Sequence, residues 1–533
     1  MAPDDDNAIL TWQGPLMSEF QGKPEFLLRQ KPVADAFQEA WAKLQQAEQL
    51  RQNRQYQRAQ EICESLLQRH PDYADALHTL GLILADQEFY EGALDHLIRA
   101  LMQNPRSWKT LTALSGVYLR LGAIEMAAQS LEQARSIQPQ DASIMLMLGD
   151  LYREHREYES ARDAYLQAIK LQPDLVPAAI GLGWTHENLG NVREAAAVFE
   201  DLIDRGVRLI EPLRALAALP PSAVNVDLLA RLDKALKAPD EDQRQFETSC
   251  AFVRATALDR AGRHAEAWQE LVRANRSIFA PVEGQVRKAA EWRLANIAAL
   301  RAFRAEPLPR AGEKLPISLF ILGPSRSGKT TMEHLVATLP GVKRGYENPI
   351  VEMVVRRTFQ AASLPGGGTL ATLPPALRHL CRDIYFQELA RRIGTATVFT
   401  NTLAARISDA AFLLGVIPNV RFIFLKRNLE DNLLRVYMRQ YTKGNAYAYD
   451  LHAARDYILW YSDMIGAMAG KFPDIVRIIN YEDMVRDPAT ALASVAALCG
   501  LPTPAAAPLM INGDIGCAAP YRQFMAAGLS TQV

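Results

Sequence analysis

ISLFILGPSRSGKTTMEHLVATL, residues 317–339, reads as a strand, a loop and a helix in direct succession. The run Ile317–Leu322 is short and apolar, as expected of a strand covered on both faces in a parallel sheet. MEHLVATL continues as a helix. Between them GPSRSGKTT satisfies G-x-x-x-x-G-K-[ST] through Gly323, Gly328, Lys329 and Thr330, in the strand-to-helix context the pattern requires. Glycines let the backbone fold into a nest of N–H donors, the helix amino terminus adds a positive dipole, and Lys329 supplies a charge. Arg326, Ser327, Gly328, Lys329, Thr330 and Thr331 are therefore the candidate phosphate-binding set.

Working outward, ATVFTN (396–401), VRFIFLKR (420–427) and VRIINY (476–481) are further buried-strand candidates, separated by helix-like stretches such as ISDAAFLLGV and LEDNLLRVYMRQY. Strands alternating with helices predict a parallel sheet with helices on both faces, and ligands in such sheets bind beyond the carboxyl ends of the strands. Upstream, EPLPRAGEKLP (306–316) contributes three prolines and a glycine, the composition of a linker. The α/β domain is expected to span 316–533, with the linker at 305–315.

The amino-terminal part carries an internal repeat. Pro71, Pro105, Pro139 and Pro173 lie 34 residues apart, and the same step links Ala59, Ala93, Ala127, Ala161 and Ala195. It also links Gly81, Ser115, Gly149 and Gly183, each preceded by Leu, and Ala100, Ala134 and Ala168. Small residues let two helix axes approach closely, and proline ends a helix for want of an N–H. This is the tetratricopeptide (TPR) pattern, and it predicts an α-solenoid of five repeats over 39–213 after an extension at 1–38. Residues 214–304 read as a helical connector with Pro220-Pro221 and the acidic PDED at 239–242. Within it, Ala255, Ala267 and Ala274 keep the repeat's offsets and suggest a degenerate TPR at 248–281. Solenoids of this kind present concave grooves, so a peptide or protein partner is one expectation and a bare scaffold the other.

A formal charge of −1 over 533 residues, with 59 basic and 60 acidic side chains, argues against a nucleic-acid partner. Cys63, Cys250, Cys381, Cys499 and Cys517 lie far apart with no C-x-x-C spacing, so neither a zinc site nor a disulfide framework is indicated and they read as reduced thiols. The acidic start MAPDDDNAIL is unlike a signal peptide, and no apolar run approaches a membrane span. A cytoplasmic protein without a membrane association is expected.

The loop alone suggests a nucleoside-triphosphate enzyme, a P-loop kinase or NTPase, which needs a strand-end acid to hold Mg²⁺. ATVFTN instead ends in Asn401, RFIFLKR ends in Lys426-Arg427, and Asp483 after VRIINYE is the one late candidate. Metal-independent anion transfer fits better. From here the sequence resembles the bacterial TPR-containing sulfotransferases, relatives of the tyrosylprotein sulfotransferases. Gly323, Arg326, Ser327, Gly328, Thr330 and Thr331 fit their loop, with Ser325 replacing a proline and Lys329 a threonine. PNVRFIFLKRN, GNAYAYDL (444–451), YEDMVRDP (481–488) and LCGLP (498–502) follow in order.

The resemblance implies transfer of a sulfuryl group from 3′-phosphoadenosine 5′-phosphosulfate (PAPS) to a hydroxyl acceptor, without a metal; a protein or other macromolecule is one acceptor class, and carbohydrate and small-molecule hydroxyls stay open beside it. It implies that loop donors hold the 5′-phosphosulfate, that Arg326 stabilises charge on the bridging oxygen, and that Arg427 binds the 3′-phosphate. Arg435 falls where the family has a second 3′-phosphate ligand, a serine. Glu347 in RGYENP takes the place of the base. The chain departs from the family at Asn401-Thr402, where Asp-Lys is common, and GCAAPYRQFM (516–525) is not followed by the basic, Trp-containing tail. Those departures motivate a third reading, a TPR scaffold with a degenerate transferase domain. Tyr437, Tyr441, Tyr447, Tyr449, Tyr457, Trp460 and Tyr461 read as core, Arg435 and Arg439 as one basic helix face, and His334 receives no role.

Overall fold

The computed structural model describes residues 31–302, 315–502 and 514–530, apart from positions 122, 156, 207–209, 220, 225–226, 237–242, 346, 349, 365–367, 404–406 and 442–443. Most of the 1–38 extension, the 305–315 linker, Pro220 and the PDED stretch thus lie outside the described residues. Two compact units result, Met1–Asn191 and Val192–Val533.

The first unit is helical: α1 (Lys31–Gln52), α2 (Tyr56–Arg69), α3 (Ala74–Asp86), α4 (Tyr90–Gln103), α5 (Trp108–Leu121), α6 (Ile124–Ile137), α7 (Ala142–Glu154), α8 (Tyr158–Leu171) and α9 (Val176–Asn188). The repeat is visible in the helix starts, since 74, 108, 142 and 176 are equally spaced, as are 56, 90, 124 and 158. Pro71, Pro105, Pro139 and Pro173 each fall in the turn that separates one helical pair from the next. The small residues sit where helices touch: Ala59, Ala93, Ala127 and Ala161 are fully buried. A Cβ on Gly149 would come within 2.6 Å of the Tyr165 ring, and one on Gly81 within 2.6 Å of the Leu97 side chain. Arg54 and Glu88 take left-handed backbone (φ 58° and 64°) at the same register between paired helices. The turn geometry therefore outweighs the roughly 1 kcal/mol preference of non-glycine residues against that region.

The second unit begins with α10 (Val192–Asp204), α11 (Ile210–Ala218), α12 (Leu228–Leu236), α13 (Gln243–Arg260), α14 (His264–Phe279) and α15 (Glu283–Ala302). Ala255, Ala267 and Ala274 are buried on α13 and α14. A five-stranded sheet follows: β1 (Ile317–Leu322), β2 (Val342–Lys343), β3 (Val398–Asn401), β4 (Val420–Lys426) and β5 (Val476–Asn480). The order is β2-β3-β1-β4-β5 and every pairing is parallel, with Leu319 opposite both Thr400 and Arg421. β2, two residues long at the edge, has too little periodicity to be seen in the sequence.

Around the strands lie α16 (Lys329–Val336), α17 (Ile350–Ala361), α18 (Arg378–Ile393), α19 (Ala410–Leu413), α20 (Leu429–Tyr437), α21 (Leu451–Lys471), α22 (Tyr481–Arg486), α23 (Pro488–Cys499) and α24 (Arg522–Ser530). Strand alternation divides the core. Phe320, Leu322, Phe399, Phe422 and Phe424 pack under α17, α18 and α21 on one face. Leu319, Ile321, Val398, Ile423 and Leu425 pack under α16 and α23 on the other. This is the predicted fold class, an α-solenoid followed by a parallel α/β sheet. A third cluster joins α13 and α14 to α20, α21 and α24 through Phe252, Trp268, Leu433, Tyr437, Leu451 and Met525, with Tyr521 just before α24.

Candidate active site

All the strands point their carboxyl ends the same way, and the chain crosses from one side of β1 to the other between β3 and β4. A crevice beside such a reversal is where this fold class receives ligands. Gly323 leaves β1 there, Asn401 ends β3, and Lys426-Arg427 end β4.

The loop is tight. Gly323 carries no Cβ because one would collide with the Ser327 hydroxyl and lie 3.0 Å from the Leu425 carbonyl oxygen. Arg326 (φ 63°) and Gly328 (φ 97°) both take left-handed backbone, and a Cβ on Gly328 would strike the Tyr481 ring. The turn is braced from outside: Asn432 Nδ2 donates to the Ser325 carbonyl at 2.8 Å, and Ser325 Oγ lies 2.9 Å from Tyr441 Oη. Arg427 Nη1 donates to the Arg326 carbonyl at 3.0 Å, so the end of β4 is tied to the loop after β1. The Ser327 hydroxyl is buried with no protein partner among the described residues. Burying such a group unpaired is costly, and an anion cradled by the loop would satisfy it.

Lys329 opens α16 and is 8 % exposed, with Nζ donating to the Pro324 carbonyl at 3.1 Å. Burial pulls this amine down to about 8, with Glu347 opposing the shift and Arg326 adding to it. Desolvation by the surrounding loop, although Arg326 stays exposed at the surface, and then Arg439 and Arg435 lower its guanidinium from the ordinary value. Thr330 is exposed and Thr331 half-buried in the first turn of α16.

Glu347 lies between β2 and α17, near enough to Lys329 to influence its charge, and it is exposed. The place that the resemblance gives to the base is therefore an exposed one. Its segment is positioned by polar contacts from β3: Asn401 Nδ2 reaches the Asn348 carbonyl at 3.0 Å, and Gly345 N–H donates to Thr400 Oγ1 at 3.0 Å. Beneath them Glu333, 1 % exposed on α16, pairs with Arg344 at 3.0 Å and accepts from Thr400. Asn401, at a family departure, thus holds the segment that carries Glu347.

Arg427 and Arg435 converge on a residue that sequence reasoning did not single out. Arg427 Nη2 donates to Asp514 Oδ1 at 2.8 Å, Arg435 Nε lies 2.5 Å from Oδ2, and Tyr481 Oη donates to Oδ1 at 3.0 Å. The Arg427 guanidinium also stacks 4.5 Å above the Tyr481 ring. Burial alone would raise the Asp514 carboxyl, but Arg427, Arg435 and the Tyr481 bond hold it below the ordinary aspartate value. Tyr481 opens the YEDMVRDP motif and had that signal; Asp514, about 80 residues beyond Arg435, had none.

One sequence reading needs correction. Arg439 does not share a helix face with Arg435, because α20 stops at Tyr437. Of the aromatic set, Tyr437, Tyr447, Tyr449, Trp460 and Tyr461 are core, and Tyr441 and Tyr457 pack against it part-buried; Tyr441 also contacts the loop through Ser325.

Sheet, loop and the arginine after β4 define a phosphate-loop α/β domain that follows a helical-repeat array in the sequence. The sequence model of the sulfotransferase family matches residues 316–505, and tetratricopeptide-repeat models match 50–115 and 146–207. The chain is thus a tetratricopeptide-repeat protein that carries a sulfotransferase-family domain. Among curated proteins it is similar to Hsp70-Hsp90 organizing protein 1 of Glycine max, 21 % identical over 34 % of this chain and 32 % of the relative. It is also similar to protein O-mannosyl-transferase TMTC1 of Mus musculus, 28 % identical over 22 % of this chain and 13 % of the relative. The chain therefore spans a third or less of the length of these relatives. Among solved structures, a tetratricopeptide repeat protein from Parabacteroides merdae is 18 % identical over 44 % of this chain and 92 % of its own, with TM-score 0.34. YrrB, titled a TPR protein with an unusual peptide-binding site, is 19 % identical over 35 % and 95 %, with TM-score 0.30. No helix among the described residues is long and apolar enough to cross a membrane, and none of their His, Cys, Asp and Glu side chains form a group of three that could hold a metal.

Proposed function

We propose that the domain transfers a sulfuryl group from PAPS to a hydroxyl acceptor. The observation that carries this reading is the tie between two anion-binding elements: Arg427 at the end of β4 bonds to the Arg326 carbonyl in the phosphate loop. One nucleotide with phosphates at both ends can span them. Ser327, Lys329 and the first-turn N–H groups of α16 would hold the 5′-phosphosulfate, and Arg427 and Arg435 the 3′-phosphate. As the acceptor oxygen bonds to sulfur, the bridging O–S bond breaks and its electron pair leaves with the nucleotide phosphate. Arg326 and Lys329 stabilise the charge that develops there, and Glu347 takes the acceptor proton. The repeat array offers a surface for a peptide or protein partner, and the acceptor hydroxyl is left open among protein tyrosine, carbohydrate and small molecules.

Calorimetric titration with adenosine 3′,5′-bisphosphate tests the donor site, with Lys329→Ala and Arg427→Ala as controls. Micromolar binding lost in both variants is expected; no binding by the intact chain would sink the proposal. The kinase alternative, favoured by Lys329, predicts ATP binding that depends on Mg²⁺.

A further inference from the structure

Arg427, Arg435 and Tyr481 surround the two oxygens of the Asp514 carboxylate at 2.8, 2.5 and 3.0 Å. Two guanidinium groups and a phenol are the chemistry of a phosphate seat, and here an acidic side chain of the same chain sits in it. We propose that Asp514 is a specificity-determining residue, a built-in competitor whose carboxylate occupies the place of the donor's 3′-phosphate and must leave before that phosphate can bind. The inference rests on the donor reading above.

Three features support an exchange of side chain rather than a permanent clamp. The main chain that follows Asp514 is anchored independently of its carboxylate: Gly516 N–H and Ala518 N–H donate to the buried Asp431 at 2.7 and 2.9 Å. Arg427 Nη2 also reaches the Asp514 carbonyl oxygen at 3.1 Å, so the arginine keeps a backbone partner when the side chain departs. The Asp514 side chain is 34 % exposed, and a cavity of about 270 Å³ lined by Arg435, Leu434, Met438, His264 and Gly516 adjoins it. Rotation about its own side-chain bonds can thus take the carboxylate out while the main chain of Gly516 and Ala518 stays.

Charge makes the two anions exclusive. The seat has two positive charges from the arginines, which a single carboxylate half neutralises. A phosphate entering beside the retained carboxylate would meet a like charge at contact distance, whereas one replacing it gains both guanidinium groups. A nucleotide with only a 5′-phosphate leaves Asp514 undisturbed. The carboxylate therefore penalises the 3′-phosphate selectively, setting the donor concentration at which the site fills.

The test is calorimetry on the full chain and its Asp514→Asn, Asp514→Ser and Asp514→Glu variants, titrated with adenosine 3′,5′-bisphosphate and with adenosine 5′-monophosphate. Asn and Ser should tighten the bisphosphate about tenfold or more and change the monophosphate by less than about threefold; Glu should behave as the parent. Bisphosphate affinity unchanged or weakened in both neutral variants, with binding intact, overturns the inference and leaves the proposed function standing. Loss of cooperative melting in both neutral variants also overturns it, because the carboxylate is then a structural clamp. Absence of binding of either nucleotide to every protein overturns the donor reading itself.

Discussion

Replacing Lys329 by methionine should stabilise the protein while destroying its nucleotide site. The amine is buried at the start of α16 and its proton affinity falls from 10.5 to about 8. Each pH unit corresponds to about 1.4 kcal/mol, so keeping the charged form in this environment costs roughly 3 kcal/mol below pH 8. Methionine, one heavy atom shorter, keeps the unbranched shape and the helix propensity without the charge, but it leaves the Pro324 carbonyl without its 3.1 Å donor, a loss of about 1–2 kcal/mol. The net gain expected at pH 7 is about 1–2 kcal/mol. The sign follows from proton counting: between about 8 and 10.5 the unfolded chain binds the lysine proton and the folded chain does not, so wild-type stability rises with pH across that window. The advantage of Lys329→Met should therefore shrink from pH 7 to pH 9.5 and vanish or reverse by pH 10.5. Urea unfolding of both proteins at pH 7 and 9.5 measures it. A variant less stable than wild type at pH 7, or a difference that does not fall with pH, refutes the reasoning.

Glu347→Gln should lower turnover about 10²–10⁴-fold while leaving bisphosphate affinity within about threefold, measured by steady-state kinetics beside calorimetry; unchanged turnover removes the glutamate from the reaction. Gly149→Ala forces a methyl to within 2.6 Å of the Tyr165 ring and should destabilise the repeat unit by about 1–3 kcal/mol without weakening nucleotide binding, read by thermal melting and calorimetry on the same sample.

What could be read from the sequence was whatever repeats or is contiguous. The 34-residue step fixes the helix starts because each pair must bury the same faces against its neighbours, and Ala93 or Gly149 is small for a reason visible in one repeat at a time. The phosphate loop was legible because β1, loop and α16 adjoin in the chain. The site was only half legible. Arg427 and Arg435 could be placed by motif, but their partner Asp514 comes from a segment whose approach depends on Asp431 capturing Gly516 and Ala518. No local pattern records such a contact. Arg439 was misplaced because α20 ends two residues earlier, where Asn275 Nδ2 from α14 donates to the Tyr437 carbonyl. Tertiary bonding of that kind overrides propensity.

That last bond also bears on where the catalytic part begins. α20 carries Arg435, and its neighbours Leu433, Leu434 and Tyr437 pack with Phe252 and Leu258 of α13 and Trp268 and Leu271 of α14. Fully burying four such side chains contributes of order 6–12 kcal/mol, an upper figure comparable to the entire net stability of a domain. α15 adds a second attachment, since Trp460 Nε1 of α21 donates to the Arg293 carbonyl at 2.9 Å and Leu300 enters the sheet's core. We propose that the helical connector is part of the transferase fold. A fragment of residues 315–533 should therefore expose this cluster, bind hydrophobic dye and associate, whereas a fragment of residues 192–533 should melt cooperatively and keep bisphosphate affinity. Sedimentation and calorimetry on the two fragments decide the matter: a monomeric, cooperatively melting 315–533 fragment with full affinity would show that Arg435 is held by the sheet alone, and the connector would then be only a spacer.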